Sequence, residues 1–118
     1  MKILHLEDNE AVADMMKRVL ESECHTVVHD PSGAVGLGIL KSGSFDMVIC
    51  DYDFGRMRMN GEEVVKEIRK FSNVPVIANS SNPDHCKIMV KSGATVSLSK
   101  PCPIKDIIET VNSIAGGE

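Results

Sequence analysis

The sequence lacks any apolar run approaching the roughly 18 residues of a membrane-spanning helix. It also lacks a C-x-x-C pair. Cys24, Cys50, Cys86 and Cys102 stand alone, and His5, His25, His29 and His85 fall at no regular zinc-ligand spacing. A zinc framework or disulfide frame is therefore a poor reading, and reduced, mostly packed thiols in the cytoplasm are expected. Nor is there a basic excess. Lys and Arg number 13 against 17 Asp and Glu, a net charge of −4, so electrostatics gives no reason to hold nucleic acid or an anionic membrane. From Met1 the chain meets the charged Glu7-Asp8 too soon for a secretory signal. No linker, internal repeat or low-complexity tract breaks it, apart from the Gly-Gly-Glu tail at 116–118. What remains is 118 residues, 42% hydrophobic and 25% charged, which suits one domain over 1–118 with a single core.

Periodicity predicts strands alternating with helices. Lys2 to Glu7 is an apolar run ending in acid. Asn9 to Ser22 carries Val12, Met15, Met16, Val19 and Leu20 on a helical stripe, with Asn9 as a plausible N-cap. Thr26 to His29 reads as a weaker strand, and Ser32 to Lys41 as a Gly-rich helix. Asp46 to Cys50 is apolar on both faces, as a central parallel strand should be. A loop from Asp51 to Asn60 leads to a helix over Gly61 to Phe71, then a strand over Val74 to Asn79. Asp84 to Lys91, Thr95 to Ser99 and Pro103 to Ile114 complete the pattern as helix, strand and helix. This alternation implies a parallel α/β sheet covered on both faces.

Ligands of open parallel sheets bind outside the carboxyl ends of the strands. Here those ends carry Glu7-Asp8, Asp51 with Asp53 two residues on, Ser80-Ser81, and Lys100-Pro101. If the first and third strands are neighbours, up to four carboxylates crowd one rim. Two unit charges about 5 Å apart repel by roughly 3 kcal/mol at an effective dielectric of about 20. Such a cluster raises the pKa of some members or binds a cation. Oxygen-only ligands with room for water favour Mg²⁺ over a transition metal. A carboxylate beside such an ion, a lysine and a hydroxyl is equipped to attack phosphorus, with Asp51 as nucleophile and Lys100 offsetting charge.

The whole chain resembles the receiver domain of two-component response regulators. Four stretches carry the likeness in order: Glu7-Asp8; Phe45-Asp46-Met47-Val48-Ile49-Cys50-Asp51; Val74-Pro75-Val76-Ile77-Ala78-Asn79-Ser80; and Gly93-Ala94-Thr95-Val96-Ser97-Leu98-Ser99-Lys100-Pro101. The resemblance implies a flavodoxin-like (βα)5 fold, a doubly wound five-stranded sheet of order 2-1-3-4-5. It implies that Asp51 accepts a phosphoryl group from a sensor histidine kinase or histidine phosphotransfer protein, switching an output domain or partner. Asp8, Asp51 and the backbone carbonyl of Asp53 would hold Mg²⁺ (or Mn²⁺), with Glu7 acting largely through water. Ser80 and Lys100 would bind phosphoryl oxygens, and the Lys100–Pro101 bond would be cis. Such a domain supports its own phosphorylation and dephosphorylation without being a conventional enzyme.

Two other readings stay open. Asp51-Tyr52-Asp53 also resembles the nucleophile motif of haloacid-dehalogenase-type phosphatases, although there the D-x-D comes first and the acidic pair last. A receiver-like module working without phosphorylation is the third class. His5 is expected in the core, Cys50 as a small buried hydrophobe, and Met57 and Met59 in an exposed loop. Two departures from the family stand out. Gly61 lies ten residues after Asp51, where about eight is common, with Arg56 and Arg58 in the longer loop; and Ser97 stands where the family has an aromatic switch residue. No output is visible, so the chain reads as a stand-alone regulator or a piece of a longer one.

Overall fold

Strand and helix alternate through the described residues of the computed structural model, 1–56 and 58–116. The elements are β1 (Lys2–Leu6), α1 (Glu10–Ser22), β2 (Thr26–Asp30), α2 (Gly33–Ser42), β3 (Met47–Cys50), α3 (Gly61–Arg69), β4 (Val76–Ser80), α4 (Pro83–Lys91), β5 (Val96–Ser99) and α5 (Ile104–Ala115). The strands form one parallel sheet in the order β2-β1-β3-β4-β5. This is the expected doubly wound α/β arrangement. Met57 and the last two residues of the Gly-Gly-Glu tail lie outside the described residues.

Side chains alternate across a strand, so each central strand feeds two cores. Leu4, Leu6, Val48, Cys50, Val76 and Ala78 face one side, where Val64, Val65 and Ile68 of α3 and Met89 of α4 cover them. Ile3, Met47, Ile49 and Ile77 face the other, against Met16 and Leu20 of α1 and Ile107 and Val111 of α5. β3 and β4 are buried along their whole length, while β5 alternates half-buried with exposed positions as an edge strand does. Fully burying each such aliphatic side chain contributes about 1.5–3 kcal/mol. Two glycines of α2 have a packing reason: a Cβ at Gly36 would lie 2.3 Å from Leu6 Cδ2 and one at Gly33 2.6 Å from Val64 Cγ2, so glycine lets the helix approach its neighbours this closely, whereas Gly38 faces open space. Ser32 caps that helix by accepting from the Val35 amide.

Element ends differ from the sequence expectation where tertiary contacts decide them. β4 starts at Val76, not Val74, because the Arg69 guanidinium takes the Val74 carbonyl at 2.8 Å and the Ser72 carbonyl at 3.2 Å. The same side chain reaches the Gly93 carbonyl at 2.9 Å, and α3 closes at Arg69 short of Phe71. α4 begins at Pro83, ahead of Asp84, with Asn82 accepting from the Asp84 amide as N-cap. Among the described residues no helix is long and apolar enough to cross a membrane.

Candidate functional site

The register of the sheet assembles the site. Leu6 pairs with Cys50, and the Asp51 amide donates to the Leu6 carbonyl at 3.0 Å, so the residues following β1 and β3 emerge side by side. On the other flank the Lys100 amide donates to the Ser80 carbonyl at 3.0 Å and fastens the end of β5 to β4. Carboxylate oxygens of Glu7, Asp8 and Asp51 consequently lie within 4.8 Å of one another. A cleft of about 450 Å³ opens over them, and Asp53, Ser80 and Lys100 also line it.

Lys100 is the counter-charge. Its ammonium is hydrogen-bonded to Glu7 Oε1 and lies 3.1 Å from Asp51 Oδ2. Burial by itself would lower the Lys100 pKa, but the bond to Glu7 and the Asp51 charge outweigh it and hold the ammonium above its ordinary range. Glu7 is buried. Loss of water pushes its carboxyl up to about 7 against the pull of Lys100, with the Asp51 charge adding to the rise. The Lys100–Pro101 peptide is cis, as the resemblance implied.

Asp51 is held at both oxygens: Oδ1 accepts from the Tyr52 amide at 2.7 Å while Oδ2 faces Lys100. The N-terminus of α3 presses on this segment, because the Gly61 amide donates to the Tyr52 carbonyl at 2.6 Å. A Cβ at Gly61 would fall 2.4 Å from the Asp51 carbonyl oxygen and 2.7 Å from Tyr52 Cα. The longer loop thus still delivers a glycine to a place beside the Asp51 backbone that cannot hold a side chain. Ser80 is buried, and its Oγ accepts from the Asn82 amide at 3.2 Å, with no acceptor for the hydroxyl proton among the described residues. Asp53 is exposed, and its Oδ1 accepts from the Gly55 amide at 3.0 Å, a turn closed by its own side chain.

Not every singled-out residue comes to the cleft. Ser97 is exposed on β5 and lines a separate groove toward α5. Arg56 and Arg58 are exposed, whereas Met59, expected to be exposed, is half-buried and packs on the α3 side of the core. His5 is buried beneath the site, where among the described residues neither ring nitrogen has a hydrogen-bond partner. Burial, with the His29 and Lys100 charges, drives its pKa down to about 3. Cys50 is fully buried, and all four cysteines are free thiols. The sequence reading did not place Asn82 or His85 at the cleft: both line it, and His85, on the first turn of α4, also stacks on Tyr52. The strand-end rule would have reached them if extended to the helix that follows each strand.

A model of the response regulator receiver domain family matches residues 3–112. The chain belongs to this family. As a receiver it is similar to the transcriptional regulatory protein YvrH of Bacillus subtilis, 34% identical over 86 residues covering 70% of this chain and 35% of that protein. It is also similar to the CpxR homolog of Haemophilus influenzae, 30% identical over 115 residues covering 96% of this chain and 49% of that protein. The receiver spans about a third to a half of the length of these two relatives. Among solved structures, a putative response regulator from Chloroflexus aurantiacus superposes with a TM-score of 0.89 at 22% identity, covering 96% of this chain and 95% of that one. The Francisella response regulator 1452 receiver domain superposes with a TM-score of 0.85 at 25% identity, covering 94% and 93%. Family and fold support the receiver reading and not the phosphatase alternative.

Proposed function

We propose that residues 1–118 act as one cytoplasmic receiver unit in which Asp51 takes the phosphoryl group of a phosphohistidine on a sensor histidine kinase or histidine phosphotransfer protein. The observation that carries this reading is the Asp51 carboxylate set 3.1 Å from Lys100 in the cleft it shares with Glu7 and Asp8. An Asp51 oxygen attacks phosphorus, the N–P bond of the donor breaks, and the freed imidazole keeps the electron pair and takes a proton. Little else must be moved, so catalysis is positioning and charge compensation.

Three clustered carboxylates, one of them buried with a raised pKa, are a donor set that fits a hard divalent cation, Mg²⁺ or Mn²⁺. Asp8, Asp51 and the Asp53 carbonyl would hold the ion and Glu7 would act through water; once bound, the ion supplies positive charge opposite the transferring group. Lys100 shifts its bond from Glu7 to a charged phosphoryl oxygen as the phosphoryl group joins Asp51. Ser80 donates its free hydroxyl proton to another. Hydrolysis returns Asp51 to its starting state, so the unit is spent once per cycle rather than turning over a substrate. The phosphorylated form then acts on an output domain or partner protein, with no direct contact to nucleic acid or membrane by this domain. Incubation with phosphoramidate should add one phosphoryl mass with Mg²⁺ present and none with the metal chelated. Equal labelling in both would remove the metal from the reaction.

A further inference from the structure

Position 97 on β5 carries no ring. Among the described residues, three contacts tie α4 to the segments that flank Asp51. The Cys86 thiol donates to the Ser80 carbonyl at 3.6 Å, Met89 lies against the Gly61 backbone, and the His85 imidazole stacks on the Tyr52 ring with centroids 3.7 Å apart and planes 18° from parallel. Tyr52 differs from the other two contacts. Its amide donates to Asp51 Oδ1, its carbonyl accepts from Gly61, and its half-buried ring rests on α4. A phosphoryl group on either Asp51 oxygen removes the carboxylate charge that this amide faces, and a shift of the Tyr52 backbone is carried by the ring to His85.

We propose that the Tyr52–His85 stack couples the phosphoacceptor to α4 in this chain, and that it holds α4 in the resting arrangement until Asp51 is modified. The inference rests on Asp51 being the phosphoacceptor. Both rings are positioning groups: neither bonds the reacting oxygens through its side chain. A stacked aromatic pair biases an equilibrium modestly, by about fivefold, or about 1 kcal/mol at 1.36 kcal/mol per tenfold. That size suits a strut that must hold and yet release. Because apparent affinity scales with the fraction of competent molecules, removing the strut should make a phosphoryl mimic bind more tightly.

The test titrates beryllofluoride at saturating Mg²⁺ and follows the amide resonances of α4. His85→Ala should tighten apparent binding about fivefold, Tyr52→Leu should do the same from the other side, and His85→Phe, which keeps a stacking ring, should behave as wild type. A second readout comes from composition. Tyr52 is the single tyrosine and there is no tryptophan, so intrinsic emission reports this ring alone. The emission of wild type should change on adding beryllofluoride, and that of His85→Ala should change at most half as much. Equal affinities in wild type, His85→Ala and Tyr52→Leu, or equal emission changes in wild type and His85→Ala, would overturn the strut while leaving Asp51 as acceptor. Failure of wild type to bind the mimic at all would overturn both.

Discussion

At the scale of single residues, two buried ionisable groups dominate. His5 has no hydrogen-bond partner among the described residues, and burial holds its pKa near 3. Its folded pKa lies below the unfolded value of about 6.5, so below that pH the unfolded chain binds the proton and the folded chain does not. Stability is therefore lost as pH falls from about 6.5 toward 3. His5→Leu should raise stability at pH 7 by about 1–2 kcal/mol, since an orphaned buried polar group costs that much. It should also flatten the acid limb relative to wild type, as read from urea midpoints across pH. Parallel pH curves for the two proteins would show that the ring is not the source. Glu7 and Asp8 differ in another way: Asp8 is exposed at the cleft while Glu7 is buried and engaged by Lys100. Asp8→Ala should accordingly weaken Mg²⁺ binding at least tenfold and Glu7→Ala less. Calorimetric titration measures both, and the reverse order would exchange their roles.

At the scale of elements, the contact between α3 and the Asp51–Tyr52 backbone sets the geometry of the site. Gly61→Ala forces a methyl group against backbone atoms that cannot yield. It should cost about 2–3 kcal/mol in urea unfolding, at the upper end for an overpacked position, and slow phosphoramidate labelling as well. A change below about 0.5 kcal/mol would mean that α3 can pivot away. Much of this scale was legible in the sequence. Met47–Cys50 announced a strand buried on both faces, and the residues following β1, β3 and β5 were placed at one rim because a parallel sheet gathers its carboxyl ends. The start of β4 was not legible, because Val74 is as apolar as a strand residue. Only the Arg69 guanidinium, folded back from α3, removes its carbonyl from the ladder. His85 was hidden for a related reason: nothing in the helical stripe of α4 says that its ring meets Tyr52 across the cleft.

At the scale of the whole molecule, two apolar layers clamp a sheet whose middle strands are inaccessible, and the polar chemistry is confined to one end. The receiver spans about a third to a half of the length of the two regulators it resembles, and the proposed function has a single carboxylate at that one rim modified. Everything therefore turns on which carboxylate that is. The direct measurement is to phosphorylate the protein with phosphoramidate and Mg²⁺, reduce the acyl phosphate with borohydride, and locate the resulting homoserine by peptide mass spectrometry. Homoserine at position 51, with no label taken up by Asp51→Asn, is the expected result. Reduction at Asp8 or Asp53 instead, or undiminished labelling of Asp51→Asn, would contradict it.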